Sequence, residues 1–135
     1  MSRRVVITGL GTVSPLGVGV KYCWEALLSG VSGTTNLKGS EYEKVPSKVA
    51  ALVPTGTESH QFDVSKFSSA EWRQMTKSIA YGLVASKEAM DDSQWYPNTD
   101  EDRAATGVTI GVGMIDLEDV YTTGRYTIMF SYFYM

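Results

Sequence analysis

The sequence predicts an α/β fold in which helices are layered on a mainly parallel sheet, and three observations carry that expectation. Val5, Val6, Ile7 and Thr8 form a β-branched run bounded by charge and glycine, the pattern of a strand buried on both faces. Thr106 to Met114, reading TGVTIGVGM, is a second apolar run that also ends in glycines. Between them lie helical and short-strand patterns, so the order strand, helix, short strand, helix, strand argues for parallel strands joined by right-handed crossovers.

Length and charge narrow the classes. The chain has 135 residues with 43% hydrophobic content, enough for one domain or part of one with a real core. A net charge of −3 gives no basic face for nucleic acid or an anionic membrane, and Arg3 with Arg4 does not make one. No run of about 18 apolar residues is present that could span a bilayer. The single cysteine excludes an internal disulfide and a cysteine-based zinc site, and it fits a reducing compartment. No metal or cofactor is expected. Any cleavable targeting segment would have to precede Met1, because the chain begins almost on a core strand.

In order along the chain, Gly9 and Gly11 allow a tight turn after the first run, and Pro15 with Gly17 delays the next helix. Val20, Trp24, Leu27 and Leu28 then recur at helical spacing and are expected to pack on the sheet. Gly30 is the left-handed residue that ends this helix, with Val31 folding back on Ala26 in a Schellman motif. Thr34 to Phe62 reads mostly as loop, interrupted by a half-buried edge strand over Lys48 to Val53 between Pro46 and Pro54. Ser68 and Glu71 have capping-box spacing for a helical turn carrying Trp72 and Met75. A longer core helix follows from Thr76 to about Asp92, with Met75, Ile79, Leu83 and Met90 on one face and small residues close by. Asp91 and Asp92 oppose the macrodipole at its end, so that end is expected to fray or to meet a basic partner. Pro97 to Ala105 reads as a polar connection.

After Tyr121 the rhythm is lost. Tyr126, Phe130, Tyr132, Phe133 and Tyr134 crowd an apolar, proline-free stretch with little charge, the composition of an aggregation-prone β segment. The chain divides on this reading into a domain over 1–121 and a divergent aromatic tail over 122–135.

Blocks RVVITGLGTVSPLG, WEALLSGVSG, SIAYGLVASKEAMDDS and TGVTIGVGM stand in the order and spacing of one family. They resemble the N-terminal part of the β-ketoacyl-acyl-carrier-protein synthases, the condensing enzymes of fatty-acid synthesis. SEYEKVPSKVAALVP and GMIDLEDV are most similar to the mitochondrial type. The resemblance covers Arg3 to about Val120. It implies a thiolase-like fold of two similar α/β halves, of which this chain holds only the N-terminal half in part. It also implies a homodimer, acyl carrier protein and acyl or malonyl thioesters as partners, and a mitochondrial location. The reaction it implies is decarboxylative condensation of an acyl thioester with malonyl-carrier protein. In that family a cysteine at a strand-to-helix junction takes the acyl group, and two histidines serve the decarboxylation and the oxyanion.

None of those catalytic residues carries over. Cys23 lies inside the first predicted helix, without the Thr-Ala-Cys junction of the family, and reads as a packing residue. His60, the only histidine, sits in a polar stretch and reads as a solvated loop residue. The chain is therefore expected to be inactive alone. One position does correspond. The residue after the glycine-x-glycine of the second strand lines the acyl pocket in the family, and behind Gly111, Val112 and Gly113 it is Met114. A methionine suits a wall that repacks around acyl chains of different length. Met114 is equally well read as plain core.

Two rival readings stand beside this one. Gly9-Leu10-Gly11 after a strand suggests a nucleotide-binding oxidoreductase, but Ser14 and Pro15 stand where a third glycine and a helix N-terminus are needed. No acidic residue closes a following strand about 20 positions on. The other rival is a non-catalytic fragment that associates with complete synthase subunits.

Overall fold

A computed structural model describes residues 3–113, Leu117 and residues 120–125. The elements in order are β1 (Val13–Ser14), β2 (Gly17–Val18), α1 (Val20–Leu28), β3 (Thr34–Asn36), β4 (Val49–Ala51), α2 (Ser69–Gln74), α3 (Lys77–Ser93) and α4 (Asp100–Ala105). Residues 120–125 are helical as well. The aromatic stretch over 126–135 lies outside the described residues.

The first strands form a tight antiparallel hairpin, Val13 opposite Val18 and Ser14 opposite Gly17, which Pro15 and Leu16 turn. Gly19 N–H extends it by donating to Thr12 O at 2.9 Å. Two carboxylates of α3 fasten this hairpin. Glu88 accepts from Thr12 N–H at 2.9 Å and from Val20 N–H at 2.7 Å, and Asp92 accepts from Leu10 N–H at 3.0 Å. Val20 opens α1, whose N-cap Gly19 has no side chain to offer, so Glu88 supplies the missing anion from another helix. Close approach makes the bonds reachable. A Cβ at Gly9 would strike the Ala89 carbonyl, and one at Gly11 the Ala85 carbonyl, so both positions are closed to any other residue without backbone movement.

The helix ends follow local sequence. Gly30, at φ 67°, donates to Leu27 O at 3.1 Å while Val31 donates to Ala26 O at 2.9 Å, the predicted Schellman pair. Ser68 and Glu71 form the predicted capping box of α2, and the Ser68 hydroxyl and N–H hold the Glu71 carboxyl below its ordinary value. Thr76 caps α3 through Ile79 N–H. The expected polar connection contains α4, started by a second capping box between Thr99 and Asp102.

Phe62 is the centre of packing. It is buried, with Tyr81 of α3 edge-on at 4.7 Å, Phe67 at 6.0 Å and Trp72 of α2 at 6.3 Å. Its N–H donates to Pro54 O at 2.7 Å, which ties the loop after β4 to the helices. The expected edge strand is present as β4, and it pairs antiparallel with β3, a strand that the loop-like composition of Thr34 to Asn36 conceals.

Several expectations are corrected. The run Val5 to Thr8 is not a buried strand: Val5 is 93% and Ile7 82% exposed, and no ladder partner exists among the described residues. Thr106 to Gly113 behaves alike, with Val108 81% exposed. Both sheets among the described residues are two-stranded and antiparallel, so the parallel layer is not formed here. The physical reason is that a strand buried on both faces needs neighbours on each side and helices above and below, and the described residues supply neither. The apolar stripes of α1 and α3 therefore stay largely outward, Ile79, Leu83 and Met90 included. On α3 the inward face is Ala80, Tyr81, Val84, Ala85, Glu88 and Ala89 instead. Total exposed surface is 11574 Å², against about 7,000 Å² for a compact monomer of this mass.

Glu88→Ala is expected to lower unfolding stability by about 2 kcal/mol or more, since hydrogen bonds to a charged acceptor contribute roughly 1.5–3 kcal/mol each. Glu88→Gln, which keeps an acceptor oxygen, loses about half of that. Urea midpoints at unchanged slope measure both. A shift under about 0.5 kcal/mol for the alanine variant, the scale of an ordinary surface change, would show that the hairpin holds itself.

Candidate functional site

Of the residues singled out in the sequence, Met114 lies outside the described residues. Its neighbours Gly111, Val112 and Gly113 are exposed and carry no regular structure. Cys23 and His60, by contrast, come together around one turn. Gly17 is buried between them: its carbonyl accepts from the Cys23 thiol at 3.1 Å, and Val18 N–H donates to His60 O at 2.9 Å.

The two side chains take different partners. Cys23 is buried on the inner face of α1 with its Sγ 3.1 Å from the Ser14 hydroxyl. The His60 ring lies 6.1 Å from the Tyr22 ring, with Nδ1 3.6 Å from Glu58. Tyr22 in turn donates to Ser59 at 2.8 Å. Cys23 is thus buried against the turn, and His60 is half-buried beside Tyr22.

The residues that sequence reasoning missed are Glu88 and Asp92. One turn apart on α3, they hold the backbone of residues 10–20 and so place the turn on which Cys23 and His60 meet. The available signal was a pair of carboxylates at i and i+4 beside a small-residue face; Asp92 reads from the sequence only as opposing the helix macrodipole, and Glu88 is not singled out there. The end carrying Asp91 and Asp92 is expected to fray or to meet a basic partner, and Asp91 meets one: it pairs with Lys87 at 3.3 Å and also accepts from Tyr96 O–H at 2.6 Å, so the end is held. The Tyr96 bond first, and Lys87 second, keep the Asp91 carboxyl below its ordinary 3.8, while the same carboxylate pushes the Tyr96 phenol up. With a lowered carboxyl value this contact is in place at neutral pH and is lost only as pH falls through that value.

Among the described residues no group of three or more His, Cys, Asp or Glu is arranged to hold a metal ion. No helix among them is long and apolar enough to cross a membrane. What the arrangement does chemically is to fix backbone. It contains carboxylates that accept from N–H groups, and a thiol and an imidazole that do not face each other.

Comparison with known proteins adds a second kind of finding. The model of the β-ketoacyl synthase N-terminal domain matches residues 2–130, which carries the match past Tyr121. A protein of Schizosaccharomyces pombe, provisionally named a mitochondrial 3-oxoacyl-acyl-carrier-protein synthase, is 41% identical over 119 residues, covering 87% of this chain and 28% of its own. The 3-oxoacyl-acyl-carrier-protein synthase 2 of Rhizobium meliloti is 38% identical over 128 residues, covering 90% of this chain and 30% of its own. The mitochondrial 3-oxoacyl-acyl-carrier-protein synthase of Arabidopsis thaliana is 35% identical over 132 residues, covering 87% and 28%. The chain thus spans under a third of the length of each of these relatives.

Burial of Cys23 makes a direct test available. Alkylation by iodoacetamide is expected to run at least about tenfold slower in the native chain than in denaturant at the same pH. Equal rates would mean that the inner face of α1 is open to solvent.

Proposed function

The chain belongs to the β-ketoacyl synthase family through its N-terminal domain, and from that premise we propose that it is the first part of a condensing enzyme of fatty-acid synthesis. The observation that carries this reading is the family match over residues 2–130, together with relatives named as 3-oxoacyl-acyl-carrier-protein synthases. The reaction proposed for the complete enzyme joins an acyl thioester to malonyl-carrier protein. Carbon dioxide leaves the malonyl group, the new carbon–carbon bond forms at the acyl carbonyl, and the thiol that carried the acyl group departs. Acyl carrier protein and acyl or malonyl thioesters are the partners, a homodimer the working form. A mitochondrial location is supported by the names of two of the relatives.

Within such an enzyme this segment supplies scaffold and part of the acyl pocket, not the nucleophile. Cys23 is buried beside a hydroxyl and a carbonyl, and His60 is the only histidine. The isolated chain is therefore expected to remain unmodified when incubated with acyl-carrier protein, as read by intact mass. A stable acyl adduct that disappears in Cys23→Ser would overturn this part of the reading.

A finer statement belongs to the same proposal. In a longer protein, residues 5–8 and 106–113 are strands of a mainly parallel, thiolase-like sheet, and the second delivers Met114 to the acyl pocket. The support is their β-branched, apolar sequence and their lack of backbone partners among the described residues. Met114→Trp in that longer protein is expected to shorten the preferred acyl chain while acetyl transfer persists. Uniform loss at all chain lengths would assign Met114 to the core instead.

A further inference from the structure

We propose that the chain from Leu10 to Val31 opens and closes as one unit on the rest of the molecule, with Glu88 and Asp92 as its latch, and that the Cys23 thiol is reached only while the unit is open. The motion belongs to the chain itself and is independent of any condensing activity.

The unit is bonded within itself. Its hairpin pairs Val13 with Val18 and Ser14 with Gly17, Gly19 N–H donates to Thr12 O, and Val31 N–H closes α1 on Ala26 O. Cys23 joins the helix to the hairpin, with its thiol on the Gly17 carbonyl and beside the Ser14 hydroxyl. Among the described residues, its hydrogen bonds to the remainder run to two places only. Leu10 N–H donates to Asp92, and Thr12 and Val20 N–H donate to Glu88, one turn away on α3. Val18 N–H and the Tyr22 hydroxyl donate to His60 O and to Ser59, on the loop before Phe62.

The rest of the molecule keeps its own centre. The ring partners of Phe62, namely Phe67, Trp72 and Tyr81, all follow it in the chain, and its N–H is held by Pro54 O, so none of these contacts is lost when the unit lifts. Among the described residues β3 and β4 pair only with each other. The unit, by contrast, does not outlive its latch. A helix of nine residues and a hairpin of two-residue strands are both too short to persist in water alone. Undocking and melting of residues 10–31 are therefore one step, which strips away the groups that bury Cys23 while the aromatic centre stays folded. Openings of this kind, lower in free energy than global unfolding, follow the boundaries of such supersecondary units.

The experiment labels Cys23, the only cysteine, with an aromatic disulfide in the full chain. Labelling is followed in rising urea below the unfolding transition, at reagent concentrations where its rate stays proportional to reagent. Amide exchange at Gly19, Cys23, Phe62 and Ala80 is followed by NMR under the same conditions. The opening constants read from the thiol and from the Gly19 and Cys23 amides are expected to agree within about threefold. Their urea slope is expected to be under about half of that at Phe62 and Ala80, because the slope scales with the surface exposed. Glu88→Ala speeds labelling at least about tenfold. Phe67→Leu loosens the aromatic centre in the closed and open forms alike, so it speeds exchange at Phe62 and Ala80 but leaves labelling within about twofold of native. A common urea slope at all four amides overturns the proposal, as does labelling that rises with Phe67→Leu as steeply as Phe62 exchange does, since either makes unfolding all-or-none. Labelling indifferent to Glu88→Ala overturns it too, and so do Gly19 and Cys23 amides that open separately. The urea slopes of the native chain decide the matter even where Phe67→Leu fails to fold.

Discussion

The structure depends on one carboxylate. Glu88 sits at the open end of the β1–β2 hairpin and answers two backbone N–H groups, Thr12 and Val20, that have no carbonyl to pair with. The first of these is a strand end and the second is the opening residue of α1, so one side chain terminates a ladder and caps a helix together. Its charge matters to both tasks, because an ionised acceptor bonds an N–H about twice as strongly as a neutral one. Asp92 repeats the arrangement one turn later through Leu10. Between them these two side chains position everything from Gly9 to α1 on α3.

Beyond that anchor the fold is built around a few aromatic rings. Phe62 is enclosed by Tyr81, Phe67 and Trp72, which come from two helices and the loop between β4 and α2. The buried hydrophobic residues among those described are Cys23, Phe62 and Ala80. A core this small leaves the larger apolar side chains of α1 and α3 outside.

What was legible in the sequence was whatever is decided within a few residues. The Ser68–Glu71 box, the Thr76 start of α3 and the Gly30 turn are local bargains between a side chain or a glycine and the nearest backbone, and each appears where its residues predict. The family was legible too, because four motifs in register need no folding argument. The exposure of Val5 to Thr8 was not, since a strand's burial is decided by partners distant in sequence. Glu88 was invisible for a related reason. It bonds to backbone, which every residue possesses, so no complementary side chain advertises the contact. The inward face of α3 escaped as well. Its large apolar residues pointed one way, while the closeness allowed by Gly9 and Gly11 turned Ala85 and Ala89 inward.

The distance along the chain between Glu88 and the groups it holds has a further effect during synthesis. Thr12 and Val20 precede it by 76 and 68 residues. At roughly 5–20 residues per second, the hairpin and α1 leave the ribosome several seconds before their anchor exists. For that interval α1 has a bare N-terminus and a glycine cap, and a helix of nine residues is too short to persist alone. The hairpin and α1 are thus made before the side chain that holds them, and their order waits on α3.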